Sequence, residues 1–187
     1  MDNKKIKIFN YILYAFYILS IVVFLFKRNY SGAGLSAFSL VVTLILSKCY
    51  KKQIRGLDSS LYICANFLVL ASMVLGSSYE FYDKIKYYDD FLHFYSGLIC
   101  VKIGWNSLHV LDVKYHQHKL LFFIVLILFA MGVSAIHEMF EYLLDTILAM
   151  NTQVGGLKDT MQDTIDAFVG TVIMVVYYFN KIRKNSH

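Results

Sequence analysis

Six apolar runs, each at or near the length of a membrane-spanning helix, leave this chain few folds. They extend from Ile8 to Phe26, Gly32 to Leu46, Leu61 to Ser77, Phe91 to Leu111, Leu120 to Leu144, and Thr164 to Phe179. A spanning helix needs about 20 residues, so the second and last runs are short for the task. A buried soluble core accounts for one or two such stretches, but not for six in 187 residues. Only 17% of the chain is charged, against about 25% in soluble domains. Backbone groups in hydrocarbon must be satisfied within their own segment, and the chain has no proline to interrupt a helix. The expected fold is all-α: a polytopic transmembrane helix bundle of about six spans. It is expected to form one integral membrane domain over residues 1–187.

Charge sets the expected orientation. With six spans both termini share a side. That side holds twelve basic residues, in Lys4-Lys5-x-Lys7, Lys48, Lys51-Lys52-x-x-Arg55, Lys114, Lys119 and Lys181-x-Arg183-Lys184. The other side holds Lys27, Arg28, Lys84, Lys86 and Lys158, and Lys102 falls within a span. Basic residues favour the cytoplasm, so both termini are expected there, in a bacterial plasma membrane. The acids divide the other way. Only Asp2, Asp58 and Asp112 are placed on the cytoplasmic side, and the other ten fall in the outer half or outer loops. The orientation rule does not count acids, so that asymmetry has a separate cause.

Several function classes recede. The basic residues that give a net charge of +5 flank spans, as topology signals and anionic-lipid contacts do. Membrane lipids are the expected partners and nucleic acid is not. Cys49, Cys64 and Cys100 show no metal-knuckle or disulfide spacing. The first apolar run is longer than a leader's 7–15 residues, and Ser31-Gly32-Ala33 is a weak cleavage site, so a retained helix is expected. The short connection Lys27 to Ser31 predicts a hairpin. The aromatic segment Ser78 to Asp90 suits the outer interface. Gly155-Gly156 marks a turn between the last two helices. Lys102 is expected to snorkel, with Trp105 and Asn106 at the inner interface.

Three acidic, histidine-containing clusters stand at the outer ends of the last three runs. They are Asp89-Asp90-x-x-His93, His137-Glu138-x-x-Glu141 and Asp159-x-x-x-Asp163-x-x-Asp166. His137 lies 18 residues beyond Lys119, Asp163 lies 18 before Lys181, and His93 lies 21 before Lys114. These separations correspond to roughly 27–32 Å of helix, one hydrocarbon thickness, so the clusters share a depth. Spacings of three and four put each cluster on one helix face. Three helices therefore aim carboxylates and imidazoles at one region, an arrangement akin to carboxylate-bridged metal sites in helix bundles. A divalent cation would offset the charge of such a set, and shared protons would do so partly. Solvated or capping helix ends are the plain alternative, above all for Asp90 and Asp166.

With these residues placed, the chain resembles the YjdF family of bacterial inner-membrane proteins. The matching pieces are Tyr87-Tyr88-Asp89-Asp90-Phe91-Leu92-His93-Phe94 with Gly97, Ser134-Ala135-Ile136-His137-Glu138-Met139-Phe140-Glu141, and Asp159-Thr160-x-x-Asp163 followed by Ala167 and Gly170. These motifs lie within residues 78–171. Their order is also similar to that in VanZ-like proteins, linked to teicoplanin resistance. The family pattern maps onto Asp89, His93, Glu138, Glu141, Asp159 and Asp163, and leaves out His137 and Asp166. The resemblance implies an architecture and a site but no reaction; its VanZ-like part points to cell-envelope glycopeptide or lipid-linked substrates. The leading expectation is an enzyme acting at the outer leaflet on a lipid-linked or phosphate-bearing substrate. Glu138, Glu141, Asp159 and Asp163 would hold a divalent metal with His93 as a ligand or acid-base group. Asp89 would orient His93, the two forming the catalytic pair. The alternatives are a binding or transport protein with an acidic pocket, and a purely structural role.

Overall fold

The computed structural model describes residues 3–113, 118–148, 152–153 and 156–184. Among them the chain is helical between short turns, with no strand. It divides into two compact units, Met1–Tyr88 and Asp89–His187.

In the first unit, α1 (Asn3–Phe26) and α2 (Tyr30–Lys51) form the expected hairpin. The reversal is tight: Arg28 takes a left-handed φ of 56°, and the Asn29 side chain accepts the Gly32 amide at 2.8 Å to cap α2. Helix α2 runs well past the short apolar run read from sequence. Its buried side is built of Gly32, Ala33, Ser36, Ser39, Thr43 and Ser47, small residues that lower hydropathy while permitting close packing. Asp58 caps α3 (Ser59–Val69) through the Leu61 amide at 2.8 Å. That helix continues as a π-helical turn, Leu70–Ser78, ending with the Tyr79 amide on the Val74 carbonyl at 2.9 Å. The Tyr88 hydroxyl donates to the Ala71 carbonyl there at 2.9 Å. Glu80, at a left-handed φ of 62°, starts the short α4 (Phe81–Lys84).

The first unit's interior joins apolar packing of Leu13, Tyr17 and Val74 to a seam of neutral hydrogen bonds. The Tyr62 hydroxyl donates to Asn10 Oδ1 at 2.7 Å, and Asn10 Nδ2 donates to Ser47 Oγ at 3.3 Å. Thr43 donates to the Tyr17 hydroxyl at 3.4 Å, and the Ser20 and Tyr79 hydroxyls are 3.2 Å apart.

The second unit holds α5 (Tyr88–Val110), α6 (Lys119–Leu148) and α7 (Leu157–Lys184). One end is a dry core of Val101, Phe122, Phe123, Leu126, Ala130, Val175, Tyr178 and Ile182. Trp105, expected at an interface, stacks on Tyr178 with centroids 4.1 Å apart. Helix α7 exceeds the run read for it, because its first turns are polar on one side. Asp159 in its first turn and Lys181, Arg183 and Lys184 in its last complement the helix dipole. Gly156 enters it at φ 60°; Gly155, His116 and Lys114 lie outside the described residues.

Among the described residues, five helices are long and apolar enough to cross a membrane: Lys4–Phe26, Tyr30–Lys51, Ser59–Ser78, Lys119–Ile147 and Leu157–Lys184. Helix α5, the remaining expected span, has 23 residues but is diluted by Asp89, Asp90, His93, Lys102 and Asn106. The distribution of side chains suits lipid. Leu128, Ile136, Met139 and Phe140 point outward from α6, while Ser134 and Glu138 are buried. A water-soluble helix reverses that pattern.

Candidate functional site

The site begins with a close helix crossing. A Cβ on Gly97 of α5 would collide with the Ala167 carbonyl of α7, and one on Gly170 would collide with the Phe94 carbonyl. Small residues let the two backbones touch. His93 lies one turn before Gly97, and Asp163 one turn before Ala167. The crossing therefore brings these two side chains to the same level. The pairs His93–Asp163, Gly97–Ala167 and Trp105–Tyr178 advance together along both helices, so α5 and α7 are parallel.

His93 is the centre of the arrangement and is 5% exposed. Its Nε2 lies 3.5 Å from Asp89 Oδ1 and 3.9 Å from Asp163 Oδ1, and its Nδ1 lies 3.6 Å from Glu138 Oε1. All three contacts are long for hydrogen bonds. A neutral imidazole has one N–H and one acceptor nitrogen. Carboxylates on both sides therefore leave one nitrogen without its complement, unless the ring takes a second proton or a metal ion enters. The donor atoms of a tetrahedral zinc site stand about 3.3 Å apart, so small movements would close Asp89, Asp163 and His93 Nε2 around an ion, while Glu138 faces the other ring nitrogen.

Glu138 is the second anomaly. It is 6% exposed, and neither carboxylate oxygen has a hydrogen-bond partner. An isolated buried carboxylate is costly. Asp145, one turn beyond Glu141, shows the contrast. Its carboxylate accepts from the Thr152 amide and hydroxyl at 2.7 and 2.6 Å and from the Gln153 amide at 2.9 Å. Asp145 is spent on holding the connection to α7, whereas Glu138 is left available.

Among the described residues, three sets of side chains bring potential ligand atoms within 4.8 Å of one another: Asp89, His93 and Asp163; His93, His137 and Glu141; and Asp90, Asp163 and Asp166. The first set shares Asp163 with the third and His93 with the second. The first and third are rich in carboxylate, suiting hard cations, whereas the second offers two imidazoles and suits zinc-like ions. Of the residues expected from sequence, Asp89, His93, Glu141 and Asp163 fall in these sets, and Glu138 touches His93. Asp159 stands in the first turn of α7 and joins none of them. His137, outside the motif pattern, has its ring 5.4 Å from that of His93 and its Nε2 3.4 Å from Glu141 Oε1. Asp90 and Asp166, read as ordinary helix-end acids, meet at Asp163. Their spacing of three from His93 and Asp163 was the available signal. Ser134 and Thr171 were missed entirely: both are buried, and both hydroxyls lack partners.

An uncharacterized protein of Thermotoga maritima is 30% identical over 115 residues, which cover 60% of this chain and 58% of that one. The chain thus spans somewhat more than half the length of that relative. No solved structure matches. The family described as predicted membrane protein, DUF2238, which is the YjdF-like family, matches residues 9–184. On the strength of that nearly full-length match, the chain belongs to the DUF2238 family of predicted membrane proteins.

Proposed function

We propose that the second unit binds a divalent cation between α5, α6 and α7, and that the bound ion acts at the outer leaflet of a bacterial plasma membrane. The observation that carries this reading is the Glu138 carboxylate: buried, without a hydrogen-bond partner, and directed at an imidazole already flanked by Asp89 and Asp163. His93 and Asp163 would be the shared ligands, with Glu138 and Glu141 closing the site from α6. Asp89 would orient the His93 ring. Asp159 would serve as an outer ligand or attract the cation on entry. Such an ion polarises a phosphoryl or carbonyl oxygen or activates water. Such chemistry favours an enzyme acting on a lipid-linked or phosphate-bearing envelope substrate. Both termini would then face the cytoplasm.

One observation favours a second reading without metal. His93 lies within 4 Å of three carboxylates, and a protonated ring would itself supply a countercharge in a binding or transport pocket.

Metal analysis of the detergent-purified protein separates the two. Glu138→Gln keeps size and a carbonyl acceptor but removes the charge a hard cation needs. The parent protein should retain about one equivalent of Mg²⁺, Mn²⁺ or Zn²⁺, and the variant should lose it while remaining monodisperse. Equal metal content in both, or none in either, would reject the cation site and leave the protonated-histidine pocket.

A further inference from the structure

Among the described residues, Ser134 and Thr171 differ from the other buried serines and threonines, whose hydroxyls bond their own helix or, as at Ser20, Thr43 and Ser47, a side chain of another helix. A buried hydroxyl on a membrane helix normally bonds back to its own helix. Ser36 donates to the Gly32 carbonyl, Ser39 to Leu35, Ser72 to Leu68 and Thr164 to Thr160, each at 2.8 Å. Ser134 Oγ and Thr171 Oγ1 have no partner at all, although the residues are 7% and 0% exposed.

Their positions are related. Ser134 lies one turn from Glu138 on the buried side of α6. Thr171 lies on the buried stripe of α7 that includes Asp163, Ala167 and Gly170. Phe123 and Phe179 meet with centroids 5.4 Å apart and fix the register of these two antiparallel helices. Counting outward from that contact puts Thr171 and Ser134 within about one turn, roughly 5 Å, along the axis. Beyond Thr171 the interior becomes the dry core of Leu126, Val175 and Tyr178.

We propose that Ser134, Thr171 and Glu138 bind internal water, in a pocket that opens from the carboxylate–histidine cluster and ends against the dry core. Thr171 lies eight residues from Asp163, so the pocket reaches about 12 Å into the span. Water is the fitting ligand. Each hydroxyl offers a donor and an acceptor, Glu138 offers only acceptors, and buried water characteristically joins such otherwise unsatisfied groups. The pocket does not depend on a bound cation.

The test uses full-length protein with Cys49, Cys64 and Cys100 changed to alanine. Ser134→Cys, Thr171→Cys and Val175→Cys are then made singly. Each is exposed to silver ion, a small hydrated thiol reagent, then quenched, denatured and labelled with maleimide. Silver should protect the thiols at 134 and 171 at least tenfold faster than the thiol at 175, with or without chelator. Equal rates at all three positions overturn the proposal. A second measurement adds no thiol. Thr171→Val and Ser134→Ala should each lower the melting temperature by about 2–4 °C, because the internal water loses a partner. An unchanged or higher melting temperature would mean that the hydroxyls are dry, and would also overturn it.

Discussion

Both units bury polar side chains, but the first buries neutral groups that satisfy one another and the second buries charged groups that do not. Asn10, Tyr62, Ser47, Tyr17 and Thr43 form pairwise hydrogen bonds. Asn66 is the partial exception: its Nδ2 donates to the Tyr62 carbonyl, while its Oδ1 is unpartnered. In the second unit, Glu138, Ser134 and Thr171 have polar atoms without partners, and His93 is outnumbered by carboxylates. A closed hydrogen-bond seam fixes helix register and is complete in itself. An unsatisfied, charged cluster costs stability, and such sites are where a membrane protein keeps its function.

The sharpest test of this contrast is His93→Ala. It leaves Asp89, Glu138 and Asp163 facing one another without the imidazole, and the loss should be about 3–5 kcal/mol, as when one partner of a buried ion pair is removed. Chemical denaturation in detergent would measure it, and a neutral result would mean that the three acids are already protonated or solvated. Next comes the crossing that assembles the cluster. Gly97→Ala pushes a methyl group into the Ala167 backbone, where no side chain can swing aside. It should cost about 1–3 kcal/mol and weaken cation binding in parallel. Gly34→Ala, with nothing near the added carbon, serves as its harmless control.

Asn10→Ala should cost about 1–2 kcal/mol, since it removes the acceptor of the buried Tyr62 hydroxyl and the donor to Ser47, and it should leave metal content unchanged. Glu138→Gln should move stability the other way in metal-free protein, raising it by about 1 kcal/mol, because an unsatisfied buried charge is replaced by an amide. If both substitutions destabilise alike, the distinction between a completed seam and a functional cluster collapses. The smallest effect belongs to Glu80. Hydrogen bonding and charge attraction from Lys84, 2.8 Å away, hold its carboxyl below the usual range. A folded-state pKa that is depressed contributes stability above the unfolded value, about 4.3, and loses it as pH falls through the folded value. The pair is exposed, so Glu80→Gln should leave the neutral-pH melting temperature unchanged within error and remove only a slight acid-side dependence.

Much of the site was legible because helical spacing is local. Asp89 with His93 and His137 with Glu141 are four apart, and those pairs are seen as ion-pair contacts. The common depth of His93, Glu138 and Asp163 followed from counting residues to the basic ends, and His93 does reach both acids. Asp145 could not be told from Glu138 by any local pattern, since its role depends on where Thr152 and Gln153 return. The unpartnered hydroxyls of Ser134 and Thr171 were equally hidden, because a serine or threonine in an apolar run looks the same whether or not it bonds its own backbone.

Sequence alone determined that the chain is helical, that it belongs in a membrane, and that its acids gather at one end of three helices. Those properties follow from run length, charge placement and a period of 3.6 residues, all of them readable along one dimension. Tertiary structure decided which acids are spent on structure and which remain available. It did so through the touching backbones at Gly97, Ala167 and Gly170, which set His93 among Asp89, Glu138 and Asp163. His93 meets Glu138 and Asp163 from 45 and 70 residues away, and no local spacing encodes contacts over that distance.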